Sequence, residues 1–270
     1  MKIISLNTYS GVVFEPLMKF IVDQAPSTDV FCFQEVTNAN RDQEQVGGDP
    51  NVNLFTELQK RLPDHEGHFE VMDEHCAVDH KKNCEGPFGV AIFVRKNLKV
   101  KNREGFFVYK ELNSYDGKDY STLGMVALSI TVDVSGSDVT FGTVHGAAFP
   151  AHKLDTPERI VQSQKIIDRM AGKSGEKIVL GDFNLLPEAE SVKMFEKAGY
   201  KDLIKEFQIK TTRGSHMRTL FPEYEHGKYG FQEFADYTFV TSGIKVESFE
   251  VPDVPISDHL PMILKFNLNK

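Results

Sequence analysis

Between residues 69 and 146 five strand-like runs follow one another with no helical pattern among them: FEVMD, GVAIFVRK, EGFFVYK, MVALSITVDV and VTFGTVHG. A block of this kind does not fit regular βαβ winding. Within it, Val126, Leu128, Ile130, Val132 and Val134 alternate cleanly, which predicts a strand with one buried face. Elsewhere strands and helices are interspersed. KIISLN and DVFCFQEV flank a short helix, EPLMKFIVDQ, expected to start at Pro16, and Leu54, Leu58 and Leu62 recur at helical spacing. TPERIVQSQKIIDRMAG has a cap in Asp155 or Thr156, Pro157 in its first turn, and Ile160, Gln164, Ile167 and Ala171 along one face. KIVLGD, a helix near 188–198, and the runs DYTFVT, IKVESFEV and LPMILKFNL complete the chain. The order predicts an α/β (α+β) fold in which a pair of mixed sheets has helices outside. With 270 residues and no repeat, low-complexity tract or linker, a single domain spanning 1–270 is expected.

Several predicted strands end in groups that can bind metal or phosphate. The first ends at Asn7, the second in Gln34-Glu35, and VTFGTVHG delivers His145. KIVLGD stops at Gly181-Asp182 with Asn184 two residues on, and strand alternation would put that carboxylate and carboxamide on one side. Asp236 opens DYTFV, and Ser257-Asp258-His259 precedes the last strand. Singly, each has a plain explanation as a turn former or cap. Together they supply what a hard divalent cation and a phosphate require: carboxylates for the ion, neutral amides that contact phosphate without repulsion, and imidazoles that donate or move a proton.

SLNTYSG, FQEV, TVHG, GDFN, FADYTFV and SDHLP, in that order from residue 5 to 261, resemble the signature blocks of the endonuclease/exonuclease/phosphatase (deoxyribonuclease I-like) superfamily. The resemblance implies a four-layer α/β/β/α sandwich, two mixed β-sheets flanked by helices, with the site where the sheets open at one edge. It also implies roles. Glu35 is the principal metal ligand, for Mg²⁺ or Mn²⁺, with Asn7 and Asp258 beside it. Asp182 orients or deprotonates the attacking water and Asn184 holds a phosphoryl oxygen. His259 stabilises the pentavalent transition state with Asp236 behind it, and His145 contacts the phosphate or assists the leaving group. Two positions depart from the abasic-site endonuclease branch: Tyr9 stands where that branch carries Asp, and His145 where it prefers Asn. Both argue against that activity and leave the number of metal ions open. The implied function is metal-dependent hydrolysis of a phosphodiester, with a nuclease or nucleotide phosphodiesterase leading. A phosphatase or phosphodiesterase for a small phosphorylated metabolite or lipid head group is the runner-up, and a non-catalytic binding module is the competing class.

Charge bears on that choice. Lys and Arg total 31 against 39 Asp and Glu, a formal net charge of −8, so the chain is a poor general polyanion binder. The expected reader of the substrate is segment 205–235, where Lys210, Arg213, Arg218 and Lys228 can meet phosphates and Phe221, Tyr224, Tyr229 and Phe231 can stack on bases or cover a lipid. An ordinary loop packed by its own aromatics is an equal alternative. Arg213 and Tyr229 are the two substrate-binding candidates. Arg95-Lys96 either lines the cleft or caps a solvated strand end. His75, Cys76, His80 and Cys84 invite a zinc reading, but the CxxC pairing is missing, and a solvated loop with spare thiols is the expectation. Cys32 sits in an apolar run and is expected in the core. No window approaches the roughly 20 apolar residues of a membrane span. No apolar signal segment follows Met1-Lys2, so a cytoplasmic location is the default, with no obligate protein partner evident.

Overall fold

In a computed structural model, which describes residues 1–41, 48–78, 81–216 and 228–269, the strands and helices appear as β1 (Lys2–Asn7), α1 (Phe14–Gln24), β2 (Val30–Thr37), α2 (Leu54–Arg61), β3 (His65–Ala77), β4 (Glu85–Arg95), β5 (Lys99–Tyr109), β6 (Met125–Val134), β7 (Ser137–His145), α3 (Pro157–Ala171), β8 (Glu176–Asp182), α4 (Glu190–Lys197), β9 (Lys201–Asp202), α5 (Leu203–Glu206), β10 (Asp236–Val240), β11 (Ile244–Glu250) and β12 (Met262–Leu268). They build two six-stranded sheets, ordered β11-β12-β1-β2-β4-β3 and β5-β6-β7-β8-β10-β9. Each sheet is mixed in the same way. One parallel pair, β1–β2 or β7–β8, lies near its centre with antiparallel neighbours outside.

Two cores hold the layers together. Ile3, Val30, Cys32, Val90, Ile92 and Val94 face the second sheet, whereas Ile4, Phe31, Phe33, Ala91 and Phe93 point outward beneath Leu17 and Ile21 of α1 and Leu54 and Leu58 of α2. The alternation along β1, β2 and β4 therefore divides each strand between two apolar layers. On the second sheet Ile166 and Met170 of α3 and Val192 and Phe195 of α4 join the inter-sheet cluster.

Several sequence expectations change here. β6 is buried on both faces from Met125 to Val132, because a strand inside four layers has no solvent side. Its polar face is satisfied locally: the Ser129 hydroxyl donates to Glu104 O, and Thr131 pairs with the Thr140 hydroxyl at 2.8 Å. Helix α3 is capped by Thr156, whose hydroxyl accepts from Arg159 N, but it buries Arg159, Gln162, Ser163, Ile166 and Met170, while Gln164 is exposed. The buried stripe is rotated by about one residue because Arg159 and Gln162 enter the interior as polar braces, which apolar periodicity does not register. Helix α1 starts at Phe14, before Pro16, which occupies its first turn.

Arg95 ends a strand antiparallel to β2, so it sits at the opposite end of the sheet from Glu35, where it donates to Ala25, Pro26 and Thr28 carbonyls. Cys76 and Cys84 do not lie in a solvated loop. Cys76 pairs across the β3–β4 ladder with Gly86, and both thiols are buried. His75 is exposed and 4.0 Å from Glu85, His80 lies outside the described residues, and among the described residues no metal-ligating cluster includes these cysteines. Cys32 is in the core as expected.

Candidate active site

The carboxyl ends of the two parallel pairs open on the same rim. In register, Asn7 stands opposite Gln34 and His145 opposite Asp182. A cleft of about 310 Å³ at this rim is lined by Tyr9, Glu35, His145, Asp182, Asn184, Arg213, Asp258 and His259, with Cys76, Val78, Phe88, Leu123 and Met125 forming an apolar wall.

Each polar side chain is aimed by a local device. A β-bulge between Phe33 and Val36 interrupts pairing with β4, and Glu35 sits there at φ 55°, turned out of the ladder. The Thr8 hydroxyl, bonded to the carbonyls of Gln34 and Glu35, pins the bulge. Beneath it Gln34 Nε2 donates to the Thr143 hydroxyl at 2.7 Å, linking the sheets under the cleft. Asp182 follows Gly181, whose φ is +131° and whose added Cβ would lie 2.3 Å from Val144 O, so β8 can turn at that point only as glycine.

The Asp182–Asn184 pair does share a side, but strand alternation is not the cause. β8 ends at Asp182, and Asn184 stands at φ 54° with its N–H donating to Asp182 Oδ1 at 2.8 Å. This Asx turn is clamped from above and below. Ala235 O accepts from both Phe183 N and Asn184 N, and the Phe183 ring lies edge-on to Phe195, Tyr237 and Phe239. Asn184 Nδ2 donates to Gly146 O at 3.0 Å.

Six of the eight expected metal and catalytic residues line this cleft, and the other two, Asn7 and Asp236, are buried directly behind it. Asn7 Nδ2 donates to Glu35 Oε1 at 2.9 Å and Asp182 Oδ2 at 3.0 Å, joining the two sheets. His145 Nε2 is 3.8 Å from both carboxylates. Asp236 Oδ2 accepts from His259 Nδ1 at 2.8 Å, which turns Nε2 into the cleft, 3.6 Å from Asp182 Oδ2 and 3.7 Å from Asp258 Oδ2. Asp182, Asp236 and His259 are each no more than 2% exposed.

Burial pushes the Glu35 and Asp236 carboxyls upward, and nearby imidazoles only partly offset it. For Asp182 burial acts the same way but is outweighed by His259, His145, Lys153 and Arg213, so the group is held below the usual carboxylate range. Asp258 is likewise lowered, by Arg213 and His259 against burial. Burial and Arg213 both oppose charge on His259, yet Asp236, Asp258 and Asp182 prevail and raise its pKa. The surroundings thus favour the ionised form of Asp182 and raise the proton affinity of the His259 imidazole that faces it.

Arg213, a substrate-binding candidate, lines the cleft, and its backbone is stitched to the His259 segment: Gly214 N donates to Asp258 O and Leu260 N to Thr212 O, both at 2.9 Å. The Thr212 hydroxyl accepts from Ala235 N and Asp236 N, tying the same stretch to β10. The guanidinium donates through Nη2 to Asp258 Oδ2 at 2.9 Å and touches His259 Nε2 through Nη1. Tyr229 lies outside this cleft, in an adjoining cavity with Lys153 and Lys228. Arg218, Phe221 and Tyr224 fall outside the described residues.

Lys153 was not anticipated. It is half-buried, and burial and Arg213 push its ammonium down to about 8 against the pull of Asp182, Asp236 and Asp258. It lies in a stretch without strand or helix pattern, so only proximity in space reveals it.

Residues 4–259 match the model of the Endonuclease/Exonuclease/phosphatase family. The chain belongs to that family. Solved structures agree on the fold. An endonuclease/exonuclease/phosphatase family protein from Leptotrichia buccalis superposes with TM-score 0.72 at 19% identity, covering 99% of this chain and 100% of its own. A mannosyl-6-phosphatase from Bacteroides thetaiotaomicron gives 0.70 at 14%, covering 99% and 100%. The human Nocturnin catalytic domain with bound sulfate gives 0.68 at 20%, covering 99% and 93%. At these identities the likeness carries the fold and nothing finer. No curated protein sequence matches the chain. Family members are generally hydrolases of phosphoester bonds. Among the described residues no helix is long and apolar enough to cross a membrane.

Proposed function

We propose that this chain, as one domain over residues 1–270, hydrolyses a phosphodiester of nucleotide size by in-line attack of water. The observation that carries the reading is the Asp236–His259 pair, joined at 2.8 Å, with His259 Nε2 directed at the carboxylates of Asp182 and Asp258. Asp182, ionised and fixed by Asn7, accepts a proton from the attacking water. His259 Nε2, Arg213 and the second N–H of Asn184 Nδ2 offer donors to the developing charge on phosphorus oxygens. His145, whose Nε2 lies 3.8 Å from both Glu35 and Asp182, serves the leaving oxygen.

The donor set also fits a hard divalent cation. The carboxylate of Glu35 is bonded by a neutral amide and neighboured by an imidazole, and its burial is electrostatically under-compensated. Asn7, Glu35 and Asp258 are the residues proposed to hold Mg²⁺ or Mn²⁺. Bound there, the ion supplies Lewis-acid polarisation of a phosphoryl oxygen. The net charge of −8 and the compact cleft favour a nucleotide or other small organic phosphate over long duplex nucleic acid.

Turnover of bis-p-nitrophenyl phosphate is expected with Mg²⁺ or Mn²⁺ and lost with EDTA. Glu35→Ala and His259→Ala should each lower it by about 10²-fold or more. Metal-independent turnover surviving both substitutions would overturn the hydrolytic assignment. Metal binding without turnover of any phosphoester in a panel of nucleotides, sugar phosphates and lipid head groups would favour a binding module.

A further inference from the structure

A second cavity, of about 320 Å³, shares Ala148, Phe149, Asn184 and Arg213 with the catalytic cleft. Its lining adds Lys153 and Lys228 and the rings of Tyr229 and Phe231, and among the described residues includes no carboxylate. In a chain with a formal net charge of −8, a cavity whose described lining holds three cationic side chains and no anionic one is a local reversal of sign.

Its walls are braced. Arg159, fully buried, gives its guanidinium to the carbonyls of Ala147, Ala148, Pro150 and Leu154, and so fixes the loop that carries Phe149 and Lys153. Lys153 O accepts from Leu186 N at 2.9 Å, attaching that loop to the turn after Asn184. The facing loop is joined to it twice: Gln232 Nε2 donates to Ala151 O at 2.9 Å, and Tyr229 lies edge-on to His152. Lys228 Nζ stands 5.0 Å over the Tyr229 ring, leaving cation and aromatic face side by side at the mouth.

We propose that this cavity is a second anion subsite, so that the substrate is a small organic phosphate bearing a further phosphate away from the reacting one. This rests on the hydrolytic reading of the cleft. The reacting phosphorus is placed in the cleft in front of Asp182 and His259, within reach of both side chains. Asn184 and Arg213 form the shared wall, and the second phosphate reaches Lys153 and Lys228, with a planar or apolar portion of the ligand against Tyr229. If the lysines merely balance the acidic centre, the enzyme would not distinguish one phosphate from two.

The test uses two matched diester probes, the p-nitrophenyl ester of adenosine 5′-monophosphate and the same ester carrying a 3′-phosphate, which is the bisphosphate of the pair. For each protein the ratio of kcat/KM for the pair is measured, together with their affinities by titration calorimetry in EDTA. Wild type is expected to prefer the bisphosphate by roughly tenfold or more in both measurements, the gain of one charge-assisted contact. Lys228→Glu and Lys153→Met should each bring the ratios toward unity, acting mainly through KM. Equal affinities in the wild type, or a preference that survives both substitutions, overturns the subsite. Failure of the hydrolytic reading shows separately, as absence of turnover on every substrate including bis-p-nitrophenyl phosphate, and leaves the calorimetric comparison to decide the subsite.

Discussion

The two cavities that meet at Asn184 and Arg213 are built on opposite plans. The candidate catalytic cleft is acidic, and most of the polar groups in it or directly behind it come from strand ends of both sheets: Asn7 and Glu35 from one, His145, Asp182 and Asp236 from the other. Nearly every group there is fixed by a partner from a different element, as Asn7 is by Asp182 and His259 by Asp236. The neighbouring cavity is cationic and lies on loops 147–154 and 228–232, where Lys228 and Tyr229 are exposed. The contrast separates two physical demands. Charge stabilisation at a reacting atom needs preorganised dipoles on rigid supports, whereas recognition of the rest of a substrate can be left to loops laid over that scaffold.

Loss of function should therefore be steepest on the acidic side. Asp236→Asn removes the carboxylate behind His259, the foremost of the groups that raise that imidazole against burial and Arg213. kcat is expected to fall by about 10²–10⁴. The sign of the pH effect is fixed by the same groups. With Asp236 neutral, His259 deprotonates at lower pH, so the alkaline limb of the kcat profile moves acidward. A variant whose profile is unmoved would show that a protonated His259 is not required.

Arg213 belongs to both cavities, and Arg213→Lys sharpens where one ends and the other begins. Lysine keeps the charge but loses the fork that reaches Asp258 and His259 together. A fall of roughly 10–10²-fold in kcat/KM is expected, corresponding to about one charge-assisted hydrogen bond. A change in kcat alone would assign Arg213 to the chemistry. Movement of KM alone would assign it to binding, with the two lysines.

The two plans also explain what could be read in the sequence. Strand ends advertise themselves: an apolar run that stops at Asp182 or His145 is visible in one dimension, and the eight residues expected to converge do so. The devices that aim them are less visible. The β-bulge at Glu35 and the Asx turn at Asn184 put residues at positive φ that strand alternation cannot anticipate. Arg159 is hidden for another reason: a charged residue is expected at the surface, and only the carbonyls of a loop folded around it make its burial tolerable. Lys153 has no pattern at all, since its relation to Asp182 and Asp258 exists only in three dimensions.

Lys153 also yields the smallest and most diagnostic effect, because function and stability should pull apart there. Burial and Arg213 lower its pKa from 10.5 to about 8, so keeping it charged costs the folded state free energy. Below about pH 8 the lysine is protonated both folded and unfolded, and the cost is fully present. Between about 8 and 10.5 the unfolded chain binds more protons than the folded one, so this group's penalty is relieved as pH rises. Lys153→Met keeps the aliphatic stem without the charge. It should raise Tm at pH 7 by a few degrees, about 2–4 °C per kcal/mol for a chain near this size, while weakening binding of the bisphosphate. The gap to the wild type should then narrow toward pH 10. A substitution that lowers Tm would mean that Lys153 is held chiefly as a counter-charge to Asp182 and Asp258, and the cationic cavity would then be an extension of the acidic one rather than its opposite.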